Sequence, residues 1–123
     1  GIAMGTSQGG GYIDMEGNIT TWLSELAFAP VDLHPEAPAD EWSGDLGCGA
    51  QYFSQQAVGR LLPASGIEYD ETLKLPEQLK IVQALMEQGD ERALKIYDAI
   101  GIYLGYSLAH YAEFYDYEYV LLL

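Results

Sequence analysis

From Asp90 to Tyr115 the chain repeats at helical spacing, through Ala93, Ile96, Ile100, Tyr103, Leu104, Ser107, Leu108, Tyr111 and Phe114. A helix of that length has a long face to bury, so the rest of the chain must supply layers that cover it. Asp90 is the expected N-cap. Ala99, Gly101, Gly105, Ala109 and Ala112 also recur along it. Gly101 and Gly105 each cost about 1 kcal/mol relative to alanine in a helix, and that cost predicts a close approach by another group. Upstream, Leu75 and Pro76 open a second helix, with Pro76 in the first turn where it is tolerated. Its stripe is Leu79, Val82, Leu85 and Met86, and Gln88–Asp90 ends it. A third helix is predicted over Gln51–Leu61, with Tyr52, Val58 and Leu61 on one face. After the long last helix, Tyr119–Leu123 is a continuous apolar run, as expected of a strand covered on both faces.

The N-terminal part reads differently. Ile2–Met4 is predicted as a first strand, Tyr12–Met15 as its return, and Ile19–Leu23 as a third strand after the turn Met15–Asn18. Between the first two lies a glycine-rich loop in which Gly5, Gly9, Gly10 and Gly11 surround Thr6, Ser7 and Gln8. Two readings are open. The glycines can simply turn a hairpin. Alternatively, a bare backbone with positive φ available can aim several N–H groups, and the Thr6 and Ser7 hydroxyls, at one anion. Phe28–Gly49 is a long proline- and acid-rich segment without helical or strand period, and loops of that length are often functional. The order is hairpin, strand, long loop, three helices and a final strand, a mixed α/β arrangement.

Charge narrows the partners. In 123 residues, 19 acids face only five Lys or Arg, for a net charge of −14. Such a surface repels phosphate backbones and anionic lipid, so nucleic acid and membrane surfaces are not expected as partners. The longest uncharged, largely apolar stretch, Ala99–Ala112, is too short to span a bilayer. Cys48 is the only cysteine, which excludes an intrachain disulfide and fits a reducing, cytoplasmic setting. Asp32, Glu36, Asp40, Glu41 and Asp45 suggest a calcium loop, but they lack its alternating spacing and central glycine, so a solvated acidic loop is expected. Of the ten tyrosines, six lie between Tyr103 and Tyr119. They are read as helix–sheet packing with hydroxyls at the rim, or as an aromatic interaction surface.

Together, "GTSQGGGYIDMEGNI", "GDLGCGAQYFSQQAV" and the stretch from Gly89 to Leu123 resemble the C-terminal lobe of the ROK family (repressor, open reading frame, kinase), within the actin-like and hexokinase-like ATPases. The first resembles the second phosphate loop, with Ser7 where the family usually has glycine. The second resembles a Gly-x-x-Gly-Cys-Leu-Glu-x-Tyr-x-Ser stretch. The resemblance implies a partial ribonuclease-H-like lobe over residues 1–123, a single domain and a fragment of a two-lobe sugar kinase that is inactive alone. It implies ATP and Mg²⁺ in the parent, with Gly5, Thr6, Ser7, Gly9 and Gly10 at the phosphates and Gly105 beside the base or ribose. Glu25, in "LSELAF", falls where the family's Glu-x-Gly-His begins and would hold sugar hydroxyls. The catalytic base would lie on the other lobe, and no acid here, Asp14 included, matches it. A homodimeric parent is compatible with the resemblance.

The departures point to a second class of function. Phe28 stands where the family has histidine, and Ala50, followed by Gln51, where it has glutamate. His34 is a candidate replacement for the histidine or an ordinary solvated loop residue. With Cys48 alone left of the family's cysteine cluster, no structural zinc is expected. A ROK-like transcriptional regulator or a degenerate, non-catalytic sugar-sensing protein is the alternative to a kinase.

Overall fold

The computed structural model describes residues 1–19 and 25–123. It is a mixed α/β structure. Among the described residues a two-stranded antiparallel sheet, β1 (Ile2–Met4) and β2 (Gln8–Gly10), accompanies four helices: α1 (Ala50–Phe53), α2 (Gln55–Leu61), α3 (Leu75–Glu87) and α4 (Glu91–Tyr111). Short 3₁₀ turns occur at Leu26–Phe28 and Leu62–Ala64.

The hairpin is tighter than the sequence suggests. Ile2 pairs with Gly10, Ala3 with Gly9 and Met4 with Gln8, so the return strand is the glycine-rich segment itself and not Tyr12–Met15. Only Gly5–Ser7 turns the corner, and Gly5 N–H donates to the Ser7 carbonyl at 2.9 Å. Ile13 instead bridges Ile19, and the rest of the expected third strand, residues 20–23, lies outside the described residues. Glycines with positive φ occur at Gly17, Gly44, Gly47, Gly66 and Gly89, and none of these is in the hairpin. The hairpin glycines are therefore not there for a left-handed turn.

Tyr119–Leu123 does run beside β1. Ile2 N–H donates to Leu121 O at 2.7 Å, Leu123 N–H to Ile2 O at 2.9 Å, and the bridge Ile2–Leu122 is parallel. The segment is nevertheless not buried: Tyr119, Leu121, Leu122 and Leu123 are all exposed. Its apolar run reflects one paired edge and not two covered faces.

The predicted helix over Gln51–Leu61 is broken at Ser54, which takes an extended conformation (φ −123°, ψ −174°). The Ser54 hydroxyl donates back to Ala50 O at 2.6 Å and accepts from Gln56 N–H at 3.1 Å. One side chain thus ends α1 and N-caps α2, the competition with the helix ladder that serine is prone to. The break sends Tyr52 and Val58 into different cores. Tyr52 packs with Ile2, Leu26, Phe53, Leu104 and Tyr111, whereas Val58 packs with Leu62, Ile67, Val82, Ala93 and Ile96. Helix α4 crosses both clusters, through Ala93 and Ile96 at one end and Leu104 and Tyr111 at the other.

Helix α3 begins with Pro76 in its first turn, as expected. Helix α4 ends at Tyr111, short of the predicted Tyr115, and Phe114 is exposed beyond it. Gly101 and Gly105 face open space, since a Cβ on either would meet nothing within 4 Å. The close approach expected there is not made by the described residues. Asp90 is the N-cap, accepting from Arg92 N–H at 2.9 Å and pairing with the Arg92 guanidinium at 2.7 Å. Arg92 pushes the Asp90 pKa down to about 2. The stabilisation is thus full above the unfolded carboxyl pKa of about 3.9 and is lost as pH falls through the folded value. Thermal melts of Asp90→Ala should show a lower Tm at neutral pH, with the gap to wild type narrowing as pH drops below about 4.

Candidate functional site

Three segments meet at Gly49. A Cβ there would overlap both the Gln8 side-chain oxygen and the Leu26 carbonyl oxygen, so β2, the 3₁₀ turn Leu26–Phe28 and the start of α1 touch at one backbone position. Glycine is required by this approach and not by its φ, which is −53°. Gly49 N–H donates to Ala29 O at 3.0 Å, and Pro30 bridges Cys48 next to it. The hairpin tip is tied to the same region, because Gln55 N–H donates to Gly5 O at 2.9 Å.

Gly5, Thr6 and Ser7 are exposed at that tip. Among the described residues, neither the amides nor the hydroxyls of Thr6 and Ser7 donate a hydrogen bond. A Cβ on Gly5 would meet nothing within 4 Å, and one on Gly9 only the Ala3 methyl at 4.0 Å. Backbone conformation and packing leave these glycines unexplained, and the tip presents unused donors to whatever comes near. Gly9 and Gly10 belong to β2, so they flank the tip without forming it. Glu25 is exposed at the start of the 3₁₀ turn, its carbonyl accepting from Phe28 N–H at 3.1 Å. The hairpin tip and Glu25 thus sit on segments packed around one point. Gly105 is exposed on α4 and is not part of that junction.

The positions that depart from the family pattern are occupied for internal reasons. Phe28 stacks on Trp42, ring centroids 5.5 Å apart. Ala50 is buried. Gln51, also buried, donates to Gln56 Oε1 at 2.6 Å and to Asp40 Oδ1 at 3.4 Å. Its amide is committed to the fold.

The acidic loop is organised around two carboxylates. Asp40 is buried and accepts from Ser43 N–H at 2.8 Å and Trp42 N–H at 3.2 Å; the Ser43 amide in particular holds its pKa below the usual range. Asp32 accepts from the Tyr52 hydroxyl and from His34 N–H at 2.8 Å, and the tyrosine is the main cause of its lowered pKa. Burial pushes the Tyr52 hydroxyl up, and Asp32 adds to the shift. The Arg60 guanidinium lies 4.6 Å from the Tyr52 ring centroid, a cation–π contact that fixes the ring's other side. His34 accepts from Glu36 N–H through Nδ1 at 3.2 Å, which makes it a turn residue. Glu36, Glu41 and Asp45 are exposed. Asp14 holds the turn before Asn18, accepting from Asn18 N–H at 2.8 Å and from its side chain. Among the described residues no group of three or more His, Cys, Asp or Glu side chains is placed to hold a metal ion. Cys48 is fully buried, and that burial raises its thiol pKa, so it has the character of an inert core residue.

Sequence reasoning missed the burial of Gln8 and the turn role of Asp40. The only local signal was a glutamine among glycines and an Asp three residues before a Ser-Gly pair. Among the described residues no helix is long and apolar enough to cross a membrane. No protein-family model matches this chain, and no curated protein or solved structure matches it either.

Proposed function

We propose that this chain is part of an ATP-dependent sugar phosphotransferase of the ROK type, with the Gly5–Ser7 tip contacting nucleotide phosphate and Glu25 accepting sugar hydroxyls. The observation that carries this reading is the convergence at Gly49. The segments that meet there are the same three in which the resemblance puts the phosphate and sugar contacts. A hairpin followed by helices and a final segment parallel to β1 is also compatible with the lobe that reading requires. The unused amides and hydroxyls of Thr6 and Ser7 suit an anion in a chain whose basic side chains are few. ATP with Mg²⁺ supplies the phosphoryl group and neutralises its charge. Thr6 and Ser7 orient the phosphate by donating to its oxygens, and the Glu25 carboxylate positions two adjacent hydroxyls. A cytoplasmic location goes with this activity.

A second reading, a sugar-responsive or degenerate relative without catalysis, is favoured by one observation. Phe28 is locked against Trp42, so an aromatic pair fills the place of an imidazole. Calorimetry separates these readings from a plain structural hairpin. Thr6→Val should weaken MgADP binding by about ten-fold, the loss of one hydrogen bond to a charged group, with Tm unchanged. Glu25→Gln should weaken hexose binding and leave MgADP binding intact. An unaltered MgADP affinity in Thr6→Val would overturn the phosphate assignment. Sugar and nucleotide binding without phosphoryl transfer in the two-lobe parent would select the second reading.

A further inference from the structure

At the opposite end of the hairpin from the tip, a cavity of about 470 Å³ lies between Gly1, Gly11–Met15 and the segment leading into the parallel edge. Its size falls within the range of about 300–1,000 Å³ usual for small-molecule sites. Ile2 lines it, and β1 separates it from the tip by roughly 10 Å at the usual strand rise. It is therefore independent of the nucleotide reading above.

The lining has an unusual composition. Five tyrosines contribute: Tyr12, Tyr111, Tyr115, Tyr117 and Tyr119. Two of them have their hydroxyls anchored on backbone, Tyr12 on Asp116 O at 2.5 Å and Tyr117 on Leu108 O. Tyr12 and Tyr115 meet at a tilt, centroids 5.8 Å apart. These rings are thus held in place before any ligand arrives. Asp14, Asp116 and Glu118 also line the cavity, and no Lys, Arg or His does; the Gly1 ammonium at its edge is turned to the Gly11 carbonyl, 2.7 Å away, so the carboxylates outnumber it three to one. An aromatic face carries negative quadrupole potential, and the carboxylates add full negative charge in the same space. A neutral apolar body would find a partner in the walls. An anion would be repelled by three carboxylates and by a chain of net charge −14.

We infer that this tyrosine-lined cavity is a binding site for an organic monocation with an apolar or aromatic body, a protonated or quaternary amine. The amine sits against the tyrosine faces and the Asp116–Glu118 carboxylates, and the apolar body lies against Ile13 and Leu121, which are exposed. The chemistry uses general recognition of ammonium groups by aromatic rings, with the carboxylates setting the sign of the preferred charge.

The test is an ¹H–¹⁵N NMR titration of the whole chain with benzyltrimethylammonium chloride. Parallel titrations use benzyl alcohol, sodium benzoate and KCl at matched ionic strength. Saturable shifts are expected at Gly11, Ile13 and Leu121 with the ammonium compound, with binding of benzyl alcohol at least about five-fold weaker and no saturable response to benzoate or KCl. Tyr119→Ala and Glu118→Gln should each weaken the ammonium compound by about three-fold. Both side chains are exposed, Tyr119 at 87%, so the variants should fold with unchanged Tm. Equal binding of benzyl alcohol would mean that the cavity recognises apolar surface only, and would overturn the inference. So would unsaturable shifts that track KCl, or two variants that bind like wild type.

Discussion

Gly47→Ala is expected to destabilise the protein by about 3–4 kcal/mol, of which about 2 kcal/mol comes from a backbone collision. Gly47 has φ +63°, a left-handed conformation that costs an alanine about 1–2 kcal/mol. Its Cβ would also overlap the Asp32 carbonyl oxygen and stand 2.9 Å from that carbonyl's carbon. Carbonyls cannot swing aside as a flexible side-chain end does, so the strand of loop at Asp32 has to move. That movement breaks the bonds from Val31 N–H and Asp32 N–H to Gly47 O, 2.8 and 3.0 Å long, each worth about 1 kcal/mol. Gly44→Ala is the matched control. It carries the same backbone strain at φ +77° but faces open space, so only about 1–2 kcal/mol is expected. Urea denaturation of both variants measures the difference. Equal losses would show that strain alone matters and that the contact with Asp32 is relaxed.

The Gly47–Asp32 contact also explains why the long loop is ordered without regular structure. The loop folds back on itself through the Ala39–Leu46 bridge, with Asp40 accepting from two amides at the far turn. Asp32 then joins it to α1 through Tyr52. What looked like a scatter of solvated acids contains two carboxylates that hold the loop. This could not be read locally, because Asp32 and Tyr52 are twenty positions apart in the chain. The helices were more legible. Pro76 and Asp90 are start signals that act within one turn, and Val82, Ala93 and Ile96 are buried as their spacing demands. The break at Ser54 was not legible, since a serine at that point is also tolerated inside a helix facing solvent. The hairpin was half legible. Its existence follows from the glycines, but the register depends on Gln8 turning inward against Gly49, a contact made far along the chain. The exposed tail shows the limit of pattern reading: a continuous apolar run is shared by a strand covered on both faces and by this segment, which is paired along one edge and exposed on its faces.

Phe53→Ala should cost about 3–5 kcal/mol, the usual range for removing a buried phenyl ring. Phe53 is 1% exposed and packs with Ile2, Leu26, Leu104 and Tyr111, so its ring joins β1, the 3₁₀ turn and the C-terminal half of α4. Truncation leaves a cavity at the point where those three elements lean together. Phe53→Leu keeps most of the volume and should lose about 1–1.5 kcal/mol. The second core offers a test of how the molecule is divided. Val82 is fully buried in the cluster of α2, α3 and the N-terminal half of α4, and it shares no partner with Phe53. If the two cores are separate packing units, the losses from Phe53→Ala and Val82→Ala add within about 0.5 kcal/mol in the double variant. Coupling well beyond that would mean that α4 passes strain from one core to the other as a rigid rod. In that event a change near α3 would also disturb the Gly5–Ser7 tip, through Leu104 and Ile2, and chemical-shift changes at Thr6 in Val82→Ala alone would report it.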